Sequence, residues 1–215
     1  MRMSQGPFGI TETGILRFIF GRPAARTDGA IFLDRDGVIN RRIVGGYVAD
    51  WSEFQFLPRA IDGIRELASI HAPPPIIVIS NQAGVGKGVV TLENLVAITE
   101  RFVAAVRERG GGAHIDAVYY CPHTPSAECA CRKPKPGLLL QAASDWGIEL
   151  RSSVFIGDSS SDAAAARAVG SQPVLIAAAV GDQGAPDPNG PPVAADLVEA
   201  AAIAARLREE LLDRA

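Results

Sequence analysis

Five short apolar runs between residues 30 and 177 constrain this chain more than any other feature: AIFLD (30–34), PIIVIS (75–80), DAVYY (116–120), SVFIGD (153–158) and PVLIA (173–177). Each is rich in Val, Ile or Tyr and nearly continuous rather than alternating, the pattern of a strand covered on both faces. Helical stretches separate them. Pro58 opens RAIDGIRELASIH from a first-turn position, where its missing N–H costs nothing. Thr91 is placed to cap LENLVAITERFVAAVRERG, and Gly110 to stop it. GLLLQAASDWG ends at Gly147 and SDAAAARAVG at Gly170. Strands alternating with helices imply a parallel sheet with helices on its faces.

The expected fold class is therefore α/β, a Rossmann-like three-layer α/β/α arrangement with a mainly parallel central sheet. Residues 1–28 are rich in Gly, Arg and Thr and lack a period. They form either an extra strand around ILRFIF or a loose extension, and the domain is expected to span 29–215. VGDQGAPDPNGPP reads as a loop, and the alanine-rich tail from Val193 as a closing amphipathic helix. The 215 residues suit one domain, and a 47% hydrophobic fraction supplies its core. A net charge of −3 gives no electrostatic footprint for nucleic acid or an acidic membrane surface. The apolar runs are too short to span a bilayer. Arg17 interrupts the apolar stretch nearest the N-terminus, so no secretory leader is expected. A cytoplasmic protein acting as a monomer is the expectation, with neither nucleic acid nor membrane as partner.

In open parallel sheets, ligands bind beyond the carboxyl ends of the strands. The first run ends in Asp34-Arg35-Asp36-Gly37, the second in Ser80-Asn81-Gln82, and the fourth in Gly157-Asp158-Ser159 with Asp162 just beyond. Lys133 follows the third run. Any one of these has a plain explanation as a turn or helix cap; their coincidence at successive strand ends points to a site. Gathered carboxylates repel unless a cation sits among them, and oxygen donors favour a hard ion such as Mg²⁺. A lysine beside that ion suits a phosphoryl group. A carboxylate can attack phosphorus, and a second one two residues on can move the proton. The chemistry suggested is phosphoryl transfer through Asp34.

SNQAGVGKGVV looks like a P-loop but fails as one: Asn81 stands where the first glycine belongs, and Gly88 replaces the Ser or Thr that would hold Mg²⁺. All three cysteines lie in CPHTPSAECAC, as Cys121, Cys129 and Cys131 with His123 among them. Cys-x-His-x5-Cys-x-Cys offers the donors of a closed tetrahedral Zn²⁺ site, which would be structural because it keeps no position for water. The alternatives are a strained Cys129–Cys131 disulfide or buried thiols. His71 and His114 receive no role.

DRDGVIN, ISN, RKPKPG and FIGDSSSD resemble the four ordered motifs of haloacid dehalogenase-type phosphatases. With GGYV, EFQFLP, SNQAGVGKG, YYCPH and CACRKPKPG in order, residues 30–180 are similar to D-glycero-D-manno-heptose 1,7-bisphosphate phosphatases and their histidinol-phosphate phosphatase relatives. The resemblance implies Asp34 as nucleophile and Asp36 as general acid/base. Mg²⁺ would be held by Asp34, the Asp36 carbonyl and Asp158, and Zn²⁺ by the loop 121–131. Ser80, Asn81 and Lys133 would hold the transferring phosphoryl group. Gln82 and Arg132 would bind the substrate, a small sugar phosphate, with Gly46 and Tyr47 lining its other side. Asp162 would orient Lys133 or metal-bound water. No large cap domain is implied. Three features depart from the family pattern: a slightly longer RRIVGGYV loop, Ser159 where many heptose enzymes have Lys, and the N-terminal segment. Arg41 and Arg42 in that loop would either contact phosphate or stand solvated. The competing functions are a histidinol-phosphate phosphatase and a catalytically inactive zinc-stapled binding module.

Overall fold

The structure is a computed structural model that describes residues 7–23, 26–177 and 190–213. Among the described residues, fourteen strands and α-helices follow one another. They are β1 (Phe8–Ile10), β2 (Leu16–Ile19), β3 (Ile31–Leu33), α1 (Ala60–Ala68), β4 (Ile76–Asn81), α2 (Ala83–Gly86) and α3 (Leu92–Arg109). After these come β5 (Ala117–Cys121), α4 (Gly137–Trp146), β6 (Val154–Gly157), α5 (Ser160–Ala168), β7 (Gln172–Ile176), β8 (Val193–Ala194) and α6 (Leu197–Leu212).

The eight strands of the described residues form one sheet in the order β1-β2-β5-β4-β3-β6-β7-β8. From β5 to β8 every pairing is parallel. Strand direction thus accounts for the continuous apolar runs, because successive residues face opposite helical layers. Ile31 and Leu33 point into one core with Val78, Val118 and Ile156, beneath α1, α3 and α6. Phe32 points into the other, with Ile77, Ile79, Tyr119 and Phe155, beneath α4 and α5. This is the three-layer arrangement expected.

Helix ends follow their local chemistry. The Thr91 hydroxyl accepts from the backbone N–H of Asn94, and Gly110 and Gly147 close α3 and α4. Pro58 does not take the expected first helical position: it lies two residues ahead of α1, which starts at Ala60 after Arg59 in a left-handed conformation. The tail begins as the short strand β8 and becomes helical only at Leu197, capped by Asp196. Residues 180–189 of the expected loop lie outside the described residues.

The segment before residue 29 supplies the antiparallel hairpin β1–β2, and β2 pairs with the edge of β5. Phe18 is fully buried against Tyr120, and Ile15 packs into the core that contains Cys121 and Cys131. The hairpin turn at Gly14 lies against the Nε2 edge of His123, where an added Cβ would come within 3.0 Å. This segment is therefore part of the sheet.

The chain leaves β3 towards β4 and β5 on one side, then returns to β6 and β7 on the other. The crevice at such a reversal is where an open α/β sheet places its ligand, and Asp34 is the first residue beyond β3.

Candidate active site

Asp34, Asp36, Ser80, Asn81, Arg132, Lys133, Gly46 and Tyr47 line one cleft of about 490 Å³ at the carboxyl end of the sheet. Its wall also includes Arg42, Ile43, Lys87 and Ser159. A larger hollow of about 870 Å³ lies elsewhere, against α3 near Phe20 and His114, and brings none of these groups together.

Lys133 is the centre of the cleft floor. Its buried ammonium lies 2.9 Å from Asp34 Oδ1 and 2.7 Å from Asp162 Oδ1, and donates to the Ile79 carbonyl at 2.9 Å. One hydrogen bond and two ion pairs thus surround it. Burial alone would push the Lys133 ammonium down, but Asp162 and Asp34 outweigh it and hold the pKa above the usual lysine value. Burial raises Asp162 in turn, yet Lys133 and the bonds from Ser159 and Asp158 keep it below the ordinary carboxylate range. Asp162 Oδ2 accepts from the backbone N–H groups of Asp158 and Ser159 and from the Ser159 hydroxyl. One side chain therefore caps α5 and anchors Lys133.

Asp34 Oδ1 accepts the Arg35 backbone N–H at 2.7 Å as well as the Lys133 contact. Both interactions fall on one oxygen and leave Oδ2 for other partners. Burial lifts Asp34 to about 6, with Lys133 opposing and Asp162 and Asp36 reinforcing. Burial likewise lifts Asp158 to about 7, helped by Asp34 and opposed by Arg42. Carboxyl oxygens of Asp34, Asp158 and Asp162 lie within 4.8 Å of one another. Three buried carboxylates around one lysine leave an excess of negative charge. With its oxygen donors, this set fits a hard divalent cation.

Asp36 is held differently. Burial would raise its pKa, but Arg35, Asn40 and Gln82 lower it below the usual value. Arg35 Nη2 reaches both carboxylate oxygens, at 3.0 and 2.9 Å. Asn40 donates at 2.8 Å and Gln82 at 2.8 Å. Arg35 itself is fully buried, with its guanidinium 5.6 Å from the centre of the Tyr120 ring.

Two expected substrate contacts have other partners here. Gln82 is buried and bridges Asp36 to Ser80, so it supports those residues from below the cleft. The Asn81 amide donates to the Lys133 carbonyl and accepts from its N–H, both at 3.1 Å, so it fixes the lysine's backbone. Arg35, Asn40 and Gly37 are the site residues that sequence reasoning missed. Gly37 has φ +92°, and a Cβ there would overlap the Asp158 carboxylate. The tight DRDG turn was the available signal for Gly37. Nothing in the spacing announces that Arg35 turns inward.

The cysteine cluster closes at the end of β5. Cys121 Sγ lies 3.5 Å from His123 Nδ1 and 3.6 Å from Cys129 Sγ; Cys131 Sγ lies 3.2 Å from His123 Nδ1 and 3.4 Å from Cys129 Sγ. A tetrahedron with ligands at ~2.0–2.3 Å has edges of roughly 3.3–3.8 Å, so the four donors fit one small cation. The Cys129 and Cys131 sulfurs lie 3.4 Å apart, well beyond a disulfide's ~2.05 Å. The contact between Cys121 and Cys131 draws the Cys121 thiol down to about 5 and pushes Cys131 up, so without a metal the pair shares a proton. Arg132 Nη1 reaches the His123 carbonyl at 3.4 Å, tying this loop to the cleft wall.

Fold and site together define a hydrolase of the haloacid dehalogenase-like class, and an HAD-hydrolase-like family model matches residues 130–200. The chain belongs to the family of D-glycero-D-manno-heptose-1,7-bisphosphate 7-phosphatases. It is 39% identical over 173 residues to the β-anomer enzyme of Pseudomonas aeruginosa, across 80% of this chain and 94% of that one. It is 40% identical over 137 residues to the α-anomer enzyme of Mycobacterium tuberculosis, across 61% of this chain and 68% of that one. A crystal structure of the D,D-heptose 1,7-bisphosphate phosphatase from B. bronchiseptica, complexed with magnesium and phosphate, superposes with a TM-score of 0.72. That match has 32% identity and covers 87% of this chain and 99% of that one. An HAD-like phosphatase from Mesorhizobium loti superposes with a TM-score of 0.77 at 27% identity, over 95% of this chain and 98% of that one.

Proposed function

We propose that this protein is a Mg²⁺-dependent phosphomonoesterase that removes the C7 phosphate of D-glycero-D-manno-heptose 1,7-bisphosphate through an aspartyl phosphate on Asp34. The observation that carries the reading is the Lys133 ammonium bridging Asp34 and Asp162, with Asp158 beside them. Asp34 Oδ2 attacks phosphorus while Lys133 and the Ser80 hydroxyl hold the phosphoryl oxygens. Lys133 also withdraws Asp34 Oδ1 from competition, fixing which oxygen reacts. Asp36 delivers to the leaving oxygen the proton it has taken up with the substrate. Held afterwards as an anion by Arg35, Asn40 and Gln82, it accepts a proton from the water that hydrolyses the aspartyl phosphate. Asp34, Asp158 and the Asp36 carbonyl would hold Mg²⁺, which neutralises charge on the phosphoryl oxygens when bound. Cys121, His123, Cys129 and Cys131 would hold a structural Zn²⁺ whose loop presents Arg132 to the sugar, opposite Gly46 and Tyr47. The same reading makes the protein a cytoplasmic enzyme that works as a monomer.

Phosphate release is the test, measured on a panel containing both heptose anomers and histidinol phosphate. Turnover should be highest on a heptose bisphosphate, and Asp34→Asn should lower kcat by on the order of 10⁴-fold or more. Full activity in Asp34→Asn, or no release from any ester, sinks the proposal.

A further inference from the structure

Arg42 stands on an exposed loop, residues 41–46, between Asn40 and Tyr47. Its guanidinium does not point to solvent. Arg42 Nη2 lies 3.1 Å from Asp158 Oδ1, pairing a side chain that is 51% exposed with one that is 1% exposed. The loop has little else to hold it. Arg41 is pinned at the loop's start, its N–H donating to the Gln55 carbonyl and its carbonyl accepting from the Asn40 amide, and Gly46 N–H bonds to Ile43. Arg42 itself makes no backbone bond among the described residues, and Val44 is almost fully exposed. The other rim cations are engaged away from the carboxylates. Lys87 lies over the Tyr47 ring at 5.4 Å, and Arg132 bonds to the His123 carbonyl.

A divalent cation and a guanidinium cannot both claim the Asp158 carboxylate without repelling each other. Arginine cannot escape by losing its proton. Asp158 is fixed from behind by its own buried strand end, whereas Arg42 is tethered only by a surface loop. When the cation arrives, Arg42 is the group that moves, and the cleft wall it shares with Gly46 and Tyr47 is where it goes. Resting on the functional reading above, we propose that Arg42 is a displaceable counter-ion of Asp158, released by metal binding to become a positioning contact for a second anionic group of the substrate at the cleft mouth.

Isothermal titration of Mg²⁺, without substrate, into the zinc-loaded full chain tests the first half. Arg42→Gln should bind Mg²⁺ about three- to fivefold more tightly than wild type, the worth of a half-exposed ion pair. Lys87→Gln, which removes a rim charge that does not touch Asp158, should shift it by less than about twofold. Equal shifts in the two variants, or unchanged or weaker binding in Arg42→Gln, overturns the inference; a merely structural role for Arg42 gives weaker binding. The second half is read in KM at saturating Mg²⁺. Arg42→Gln should raise KM for a sugar bisphosphate about tenfold, the loss of one charged contact, and leave that for p-nitrophenyl phosphate within about twofold. Arg42→Lys should recover part of the loss. Parallel changes for both esters overturn it. A wild-type protein that neither binds Mg²⁺ nor releases phosphate sinks the phosphatase reading as well, whereas a working Mg²⁺ phosphatase with an indifferent Arg42 sinks this inference alone.

Discussion

Gly37 shows how much of the site is set by a residue that contributes no functional group. Its φ of +92° is a conformation a side chain resists, and the space a Cβ needs belongs to the Asp158 carboxylate. Gly37→Ala should therefore strain the turn by about 1–3 kcal/mol and displace Asp158 together with Asp36. A displacement near 1 Å costs roughly 10²-fold in rate, so kcat should fall by about that factor while circular dichroism stays native. Retention of wild-type kcat would refute this account of the turn. At the same scale, the sequence told which residues stand at strand ends but not what each side chain would bond to. Asn81 and Gln82 are neighbouring amides, yet successive residues face opposite ways. One therefore clamps the Lys133 backbone, and the other runs under Asp36 to Ser80. Arg35 was equally opaque, because a basic residue between two acids reads as solvated until the strand end is seen to bury it.

Among elements, legibility tracked how a segment buries its apolar side chains. The five runs from AIFLD to PVLIA became β3 to β7 because each is sandwiched between two helical layers, which demands unbroken apolar sequence. The sequence of the hairpin β1–β2 admits either a strand or a loose extension, since its strands of 3 and 4 residues lie at the end of the sheet and carry no such demand. Through Ile15 and Gly14 it nonetheless packs against the cysteine loop. That loop begins at the last residue of β5 and ends beside Arg132 and Lys133, so its geometry is transmitted to the cleft. If Zn²⁺ holds it, elemental analysis should find about one equivalent per chain, as four protein donors imply. Removing the metal should raise KM through Arg132 and lower thermal stability, while Asp34, fixed to β3, keeps its place. A zinc-free protein with unchanged KM and melting temperature would show that the four donors need no metal.

Across the whole molecule, the buried carboxylates make stability depend on pH in a direction opposite to the common one. Asp34 at about 6 and Asp158 at about 7 both lie above the ordinary value of 3.8. Between about pH 4 and pH 7 the folded state therefore holds more protons than the unfolded chain at these two groups. Their contribution to stability is complete below pH 4 and is lost as pH rises through 6 and 7. Asp36 and Asp162 shift the other way. Their contribution is already present above the unfolded carboxylate value, so they add no slope in this window. Added Mg²⁺ supplies the missing positive charge only where the carboxylates are ionised. It should raise the melting temperature by several degrees at pH 7.5, since 1 kcal/mol shifts a domain of this size by roughly 2–4 °C, and hardly at all at pH 5. Thermal melts of the zinc-loaded protein at both pH values, with and without Mg²⁺, measure this difference. The comparison at fixed pH cancels titrating groups remote from the cleft, including the raised Asp116. An equal Mg²⁺ effect at both pH values would mean that the ion binds without relieving these two acids, and the charge account of the cleft would fail with it.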